Sequence, residues 1–178
     1  MDFVDILKDK AFVGREFLTW LWFRSDTSGG IVEIPGKRTI ELHFLDKMVL
    51  DLSGSDSPQT VAITGGQSEL REGMAALKEG KKIEEARISI KDAHEDFTVV
   101  IKASWLSFSG FRPPATLPMD STESPEPDAL FLEKMYLLER FLDIIDELFS
   151  FFLDLRLSDT WAAHELPAIK EWIRREAA

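Results

Sequence analysis

Cysteine is absent from the 178 residues, which excludes disulfides, thiolate nucleophiles and cysteine-based zinc or iron–sulfur sites. The absence fits a reducing compartment, and a cytoplasmic location is expected. Histidine is scarce. His43, His94 and His164 are the three in the chain, and no two stand at the i, i+3 or i+4 spacing that sets paired metal ligands on one helix face. Long hydrophobic runs are missing as well. A membrane span needs roughly 18 to 20 consecutive apolar residues, and the densest stretch, Phe17-Leu18-Thr19-Trp20-Leu21-Trp22-Phe23, is bracketed by Arg15, Glu16 and Arg24. The opening MDFVDILKDK is acidic and lacks a basic region leading into an apolar one, so no signal peptide is expected. The sequence holds no G-x-S-x-G elbow, no Walker loop and no G-x-G-x-x-G, so acyl-transfer and nucleotide-binding motifs are excluded. No catalytic residue, metal, cofactor or membrane contact is expected.

What the chain does contain is acid. Its net charge is −11, which as a bulk property opposes a polyanionic partner. The charge is uneven, however. Residues 71–112 carry eight basic and seven acidic groups, while residues 113–178 carry six and fourteen. A composition of 44% hydrophobic and 30% charged residues is that of a folded domain.

The patterning is α+β: an antiparallel β-meander packed against helices, closed by a long apolar helix. Asp2 caps a short amphipathic helix using Phe3, Ile6 and Leu7. Gly14 interrupts that pattern, and a second helix is expected from Arg15 to about Asp26. Apolar groups cover most of its circumference, which marks a helix buried on several sides. Trp20 and Trp22 therefore read as core, not as platforms for stacking on bases. IVEI, RTIELHFL, MVLDL and TVAIT follow as strands between turn signals, one of them at Asp46-Lys47. Ser68 opens a helix over ELREGMAALKE, and Gly80 occupies the position of a C-terminal helix glycine. KIEEARISIKD and EDFTVVIKA pair around Ala93-His94, and WLSFSGF adds a further strand. His94-Glu95-Asp96, the one metal-like or acid–base cluster, falls on that turn and reads as solvated.

Residues 112–127 hold five prolines and form a loop. It separates a region of helix and sheet, 1–111, from a helical region, 128–178, within one compact domain. From Asp128 to about Leu157 apolar residues recur in two stripes. One runs through Phe131, Met135, Leu138, Leu142, Ile145, Phe149 and Phe152, and the other through Leu137, Phe141, Ile144, Leu148, Phe151 and Leu155. A single covered side cannot bury both, so a partner helix from a second copy is expected on one of them. The closing helix turns Ile169, Trp172 and Ile173 inward.

The basic middle segment is the one candidate ligand surface. Arg87, Ser89 and Lys91 share a strand face by the two-residue period, and Lys102 aligns beside them if the strands pair. With Lys78, Lys81, Lys82 and Arg112 these form a strip able to contact phosphates without reading bases. Glu84, Glu85, Asp92, Glu95 and Asp96 are interspersed, so an ordinary mixed surface stands against that reading.

The segment from GGQSELREGMAALKEGKKIEEARISI to FLEKMYLLERFLDIIDELFSFFLDLR, roughly residues 65 to 157, resembles the C-terminal part of the bacterial RdgC recombination-associated proteins. A helix opens after a polar turn and ends in a Gly-Lys pair, here Gly80 and Lys81. Two strands, an irregular segment and an apolar helix follow. GREFLTWLWF is similar to a stretch of short related proteins. The resemblance implies a non-catalytic, sequence-independent binder of duplex DNA, dimeric and ring-forming, that restrains RecA-promoted strand exchange. Of the candidate residues only Lys81 comes from that motif. This chain is much shorter than typical members and does not contain their N-terminal portion. The rival expectation is a protein–protein interaction module that never touches nucleic acid.

Overall fold

The structure, a computed structural model, describes residue 9 and residues 11–51, 61–64, 67–93, 95–114 and 127–175. The short helix expected at Asp2–Leu7, the turn residue His94 and most of the loop expected at 112–127 lie outside them. The architecture is α+β. Helix α1 (Phe12–Thr27) leads into strands β1 (Ile31–Ile34), β2 (Arg38–Asp51) and β3 (Val61–Thr64). Helix α2 (Gln67–Lys78) precedes β4 (Lys82–Asp92), β5 (Glu95–Lys102) and β6 (Ser107–Arg112). Helices α3 (Pro127–Leu157) and α4 (Leu166–Arg174) finish the chain.

All strand pairs are antiparallel, in the order β1-β2-β4-β5-β6, with β3 beside β2 on the edge that β1 also uses. β3 and β4 therefore flank β2 in parallel, and α2 carries the chain across it. The turn expected at Asp46-Lys47 is not there: β2 runs unbroken over 14 residues. Its pairing with β4 slips between Phe44 and Met48, so a bulge absorbs the polar pair that read as a turn.

Side chains alternate across the sheet. Ile40, Leu42, Met48 and Leu50 of β2, Ile83, Ala86, Ile88 and Ile90 of β4, and Phe97, Val99 and Ile101 of β5 are buried beneath the helices. No described element covers the other face, the arrangement an antiparallel sheet tolerates when its outward residues are polar. In α1, Phe17, Leu18 and the whole run Trp20–Phe23 are buried, because the helix is wrapped. The Phe17 ring meets Phe149 at 5.2 Å and Phe152 at 5.4 Å, while Trp22 meets Trp172 at 5.3 Å. Residues from both ends of the chain thus share one core. Gly14 does not break the helix. It is buried inside α1, where a Cβ would lie 2.2 Å from the Ala103 carbonyl oxygen.

α3 spans about 45 Å at 1.5 Å per residue and lies across the sheet. Arg38 binds Glu147 at 2.6 Å and Asp92 at 2.7 Å, tying the β1–β2 turn to the helix. The Glu147 bond is the chief cause that raises the Arg38 pKa above its ordinary value, against the opposing effect of burial. Farther toward its N-terminus, Arg140 reaches Asp92 and Glu95 at the β4–β5 turn. Phe141 packs on Phe97, Phe108 and Phe111 of β5 and β6. The stripe held in the core is mainly the second: Leu137, Phe141, Ile144 and Leu148 are buried, joined by Ile145 and Phe152 of the first. The expected inward pair Ile169 and Trp172 of α4 is buried, and Ile173 partly so. No helix among the described residues is long and apolar enough to cross a membrane.

Candidate functional site

The expected basic residues fall in two places. Arg87, Lys91 and Lys102 point from the uncovered sheet face, as the two-residue period requires. Register aligns them into a mixed field, with Glu41 opposite Lys91 and Glu85 opposite Lys102. Lys91 sits 3.7 Å from Glu41, and Lys102 3.5 Å from Glu85. Lys47 also bonds Glu85, and that bond is the main cause that holds the Glu85 carboxyl below its ordinary value, with burial acting the other way. Glu41 likewise accepts from His43 at 3.0 Å, the first cause that lowers its pKa, followed by the charge of Lys91. Ser89 donates to Asp96 at 2.8 Å. Counting by alternation and register, the described residues of this face present Lys47, Arg87, Lys91, Lys102 and Arg112 against Glu33, Glu41, Asp51, Glu85 and Asp96. Charge is close to balance there, whereas the chain as a whole is strongly acidic.

Lys78, Lys81 and Lys82 sit instead where α2 hands over to β4, on the helical side of the molecule. Gly80 ends α2 with φ of 90°. Its N–H donates to Leu77 O, and that of Lys81 to Ala76 O, both at 3.0 Å, the paired bonds of a glycine-terminated helix. This geometry turns Lys81 inward, leaving 8% of its side chain exposed with Glu79 at 3.0 Å. It faces a cavity of about 260 Å³ among α1, α2, α4 and the turn that precedes α4. The sequence pattern placed Lys81 correctly at the helix end, but its burial depends on the elements packed around it.

A third surface was only half visible in the sequence. N-terminal to Leu137 no described side chain of α3 is buried. Because Phe141 already lies over β6, the first turns of α3 run out past that edge strand. Phe131, Leu132, Met135 and Tyr136 are 40 to 66% exposed there, and Leu142 44%. β6 itself, SFSGFR, carries a single charge, Arg112, and its Phe108 is 39% exposed. Among the described residues no group of three or more His, Cys, Asp or Glu side chains is placed to hold a metal ion. Neither a protein family, a curated protein nor a solved structure matches the chain.

Proposed function

We propose that this is a non-catalytic binding module of a reducing compartment such as the cytoplasm. It works as a homodimer joined through the overhanging first turns of α3 and the outer edge of β6, which no described strand pairs. The carrying observation is the row of large apolar side chains from Phe131 to Tyr136, exposed on one helix. Contiguous apolar surface of this kind favours burial against a partner. A second copy is the occupant that the edge strand favours. Apart from the bulge at Gly110, β6 lacks the lysines, prolines or inward charges that blunt an edge. Two antiparallel edges pair about a two-fold axis, which brings both α3 overhangs together over one seam. Sedimentation equilibrium tests this. The wild type is expected to be dimeric at micromolar concentration, and the Phe131→Ser, Leu132→Ser, Tyr136→Ser variant monomeric with an unchanged circular dichroism spectrum and a melting temperature that no longer rises with protein concentration. A wild type that stays monomeric into the hundreds of micromolar overturns the reading.

The uncovered sheet face supports a second reading, in keeping with the RdgC resemblance: sequence-independent contact with a duplex DNA backbone through Arg87, Lys91 and Lys102. Near-neutral charge on an acidic chain is the observation in its favour. Phosphate contact weakens steeply with salt, with a log–log slope near the number of phosphates neutralised. Anisotropy of a labelled duplex across a salt series, with an Arg87→Ala, Lys91→Ala, Lys102→Ala variant, decides it. Absence of binding at low salt removes this reading and leaves the interaction module.

A further inference from the structure

Lys81 occupies a position that local physics reserves for an apolar side chain. In a helix end closed by Gly80, the next residue folds back on the last turn, and an apolar contact there commonly accompanies the motif. Here that residue is a lysine with 8% of its side chain exposed, and the Glu79 beside it is 64% exposed. Burying an ammonium costs more than burying a methionine of similar reach, so its presence calls for a use. The adjacent cavity supplies one. Phe12, Leu77, Trp161, Leu166, Ile169 and Ile173 wall it with apolar surface. Trp161 belongs to a π-helical turn, Trp161–Glu165, a rare conformation frequent at functional sites.

Charge around the mouth is reversed from that of the chain. Beyond Ile173 a hollow of about 300 Å³ is lined by Lys78, Lys170 and Arg174, and Lys82 lines the cavity itself. Two other charged groups of the lining are already engaged: Arg15 by Asp9 and Glu84, and Glu16 by Arg156. That leaves Lys81 and Lys82, and of the two Lys81 is the buried one, with a Glu79 counter-ion that is solvent-exposed and displaceable. At about 260 Å³ the cavity lies at the small end of ligand sites and suits a short aliphatic tail.

We infer that this cavity binds a small amphiphilic anion, with its aliphatic tail among Leu77, Trp161, Leu166 and Ile169 and a carboxylate or phosphate head on Lys81. The site lies at the end of the sheet opposite the β4–β5 turn, away from the α3 overhang, so it stands whatever the assembly state. The test is calorimetric titration of the full chain with octanoate, octyl phosphate and octanol, with intrinsic tryptophan fluorescence as a second readout. At least one anion is expected to bind saturably and tenfold or more tighter than octanol. The tighter of the two anions identifies the head group. Lys81→Met loses the preference but keeps octanol, Lys81→Arg keeps the preference, and Leu166→Trp fills the chamber and abolishes all binding. Melting curves establish that each variant is folded. No saturable binding, equal affinity for octanol, or an undiminished preference in Lys81→Met overturns the inference.

Discussion

Replacing Gly14 with alanine sets a local gain against a tertiary clash. Within a helix alanine is favoured over glycine by about 1 kcal/mol, so the sequence of α1 by itself argues for a more stable protein. The fold argues the reverse. An added Cβ lies 2.2 Å from the Ala103 oxygen and 2.8 Å from its carbonyl carbon and Cα. Ordinary contact begins at 3.4 Å, so backbone must retreat by about an ångström. Ala103 cannot easily do so: its N–H is held by Glu84 O at 2.8 Å, and Trp105 and Leu106, just beyond Ser104, already have φ of 60° and 45°. Overpacking costs roughly 1–3 kcal/mol, and a 2.2 Å approach to backbone belongs at the upper end, about 2–3 kcal/mol. Less the helix gain, the net loss is about 1–2 kcal/mol, or a melting temperature roughly 2–8 °C lower for a chain of this size. Far-UV circular dichroism melts of wild type and Gly14→Ala measure it. An unchanged or higher melting temperature would refute the argument that the helix–loop contact outweighs propensity.

Glu85 gives a pH test. Its folded pKa is lowered from 4.5, first by the Lys47 bond, so its stabilisation is fully present above the unfolded value and is lost as pH falls through the lower folded one. Glu85→Gln is expected to melt below wild type at about pH 7, and the gap to narrow as pH falls below the unfolded value and through the lower folded one; a gap that does not narrow in acid counts against the pairing. Trp172→Phe removes the Nε1–H bond to Asp26 Oδ2 at 2.7 Å while keeping an aromatic ring against Trp22 and Phe23. A cost of about 1–2 kcal/mol is expected in urea unfolding, and equality with wild type would show the bond to be replaceable by water.

Elements governed by short-range rules were legible in the chain. The β4–β5 hairpin follows alternation, α2 stops at Gly80, and α3 spans Pro127–Leu157 within a residue of its expected limits. The buried FLTWLWF run follows from apolarity around a whole helix. Four features were not legible, and each depends on a neighbour remote in sequence. β2 passes through Asp46-Lys47 because β4 lends it a ladder and a bulge takes up the slack. Gly14 stays helical because Ala103 needs the room. Lys81 is buried because α1 and α4 close over the end of α2. Which stripe of α3 enters the core is set by where Phe97, Phe108 and Phe111 place their rings. Periodicity along one chain reports which side chains share a face; only the packed fold assigns that face to core, solvent or partner, because burial is a property of what lies opposite.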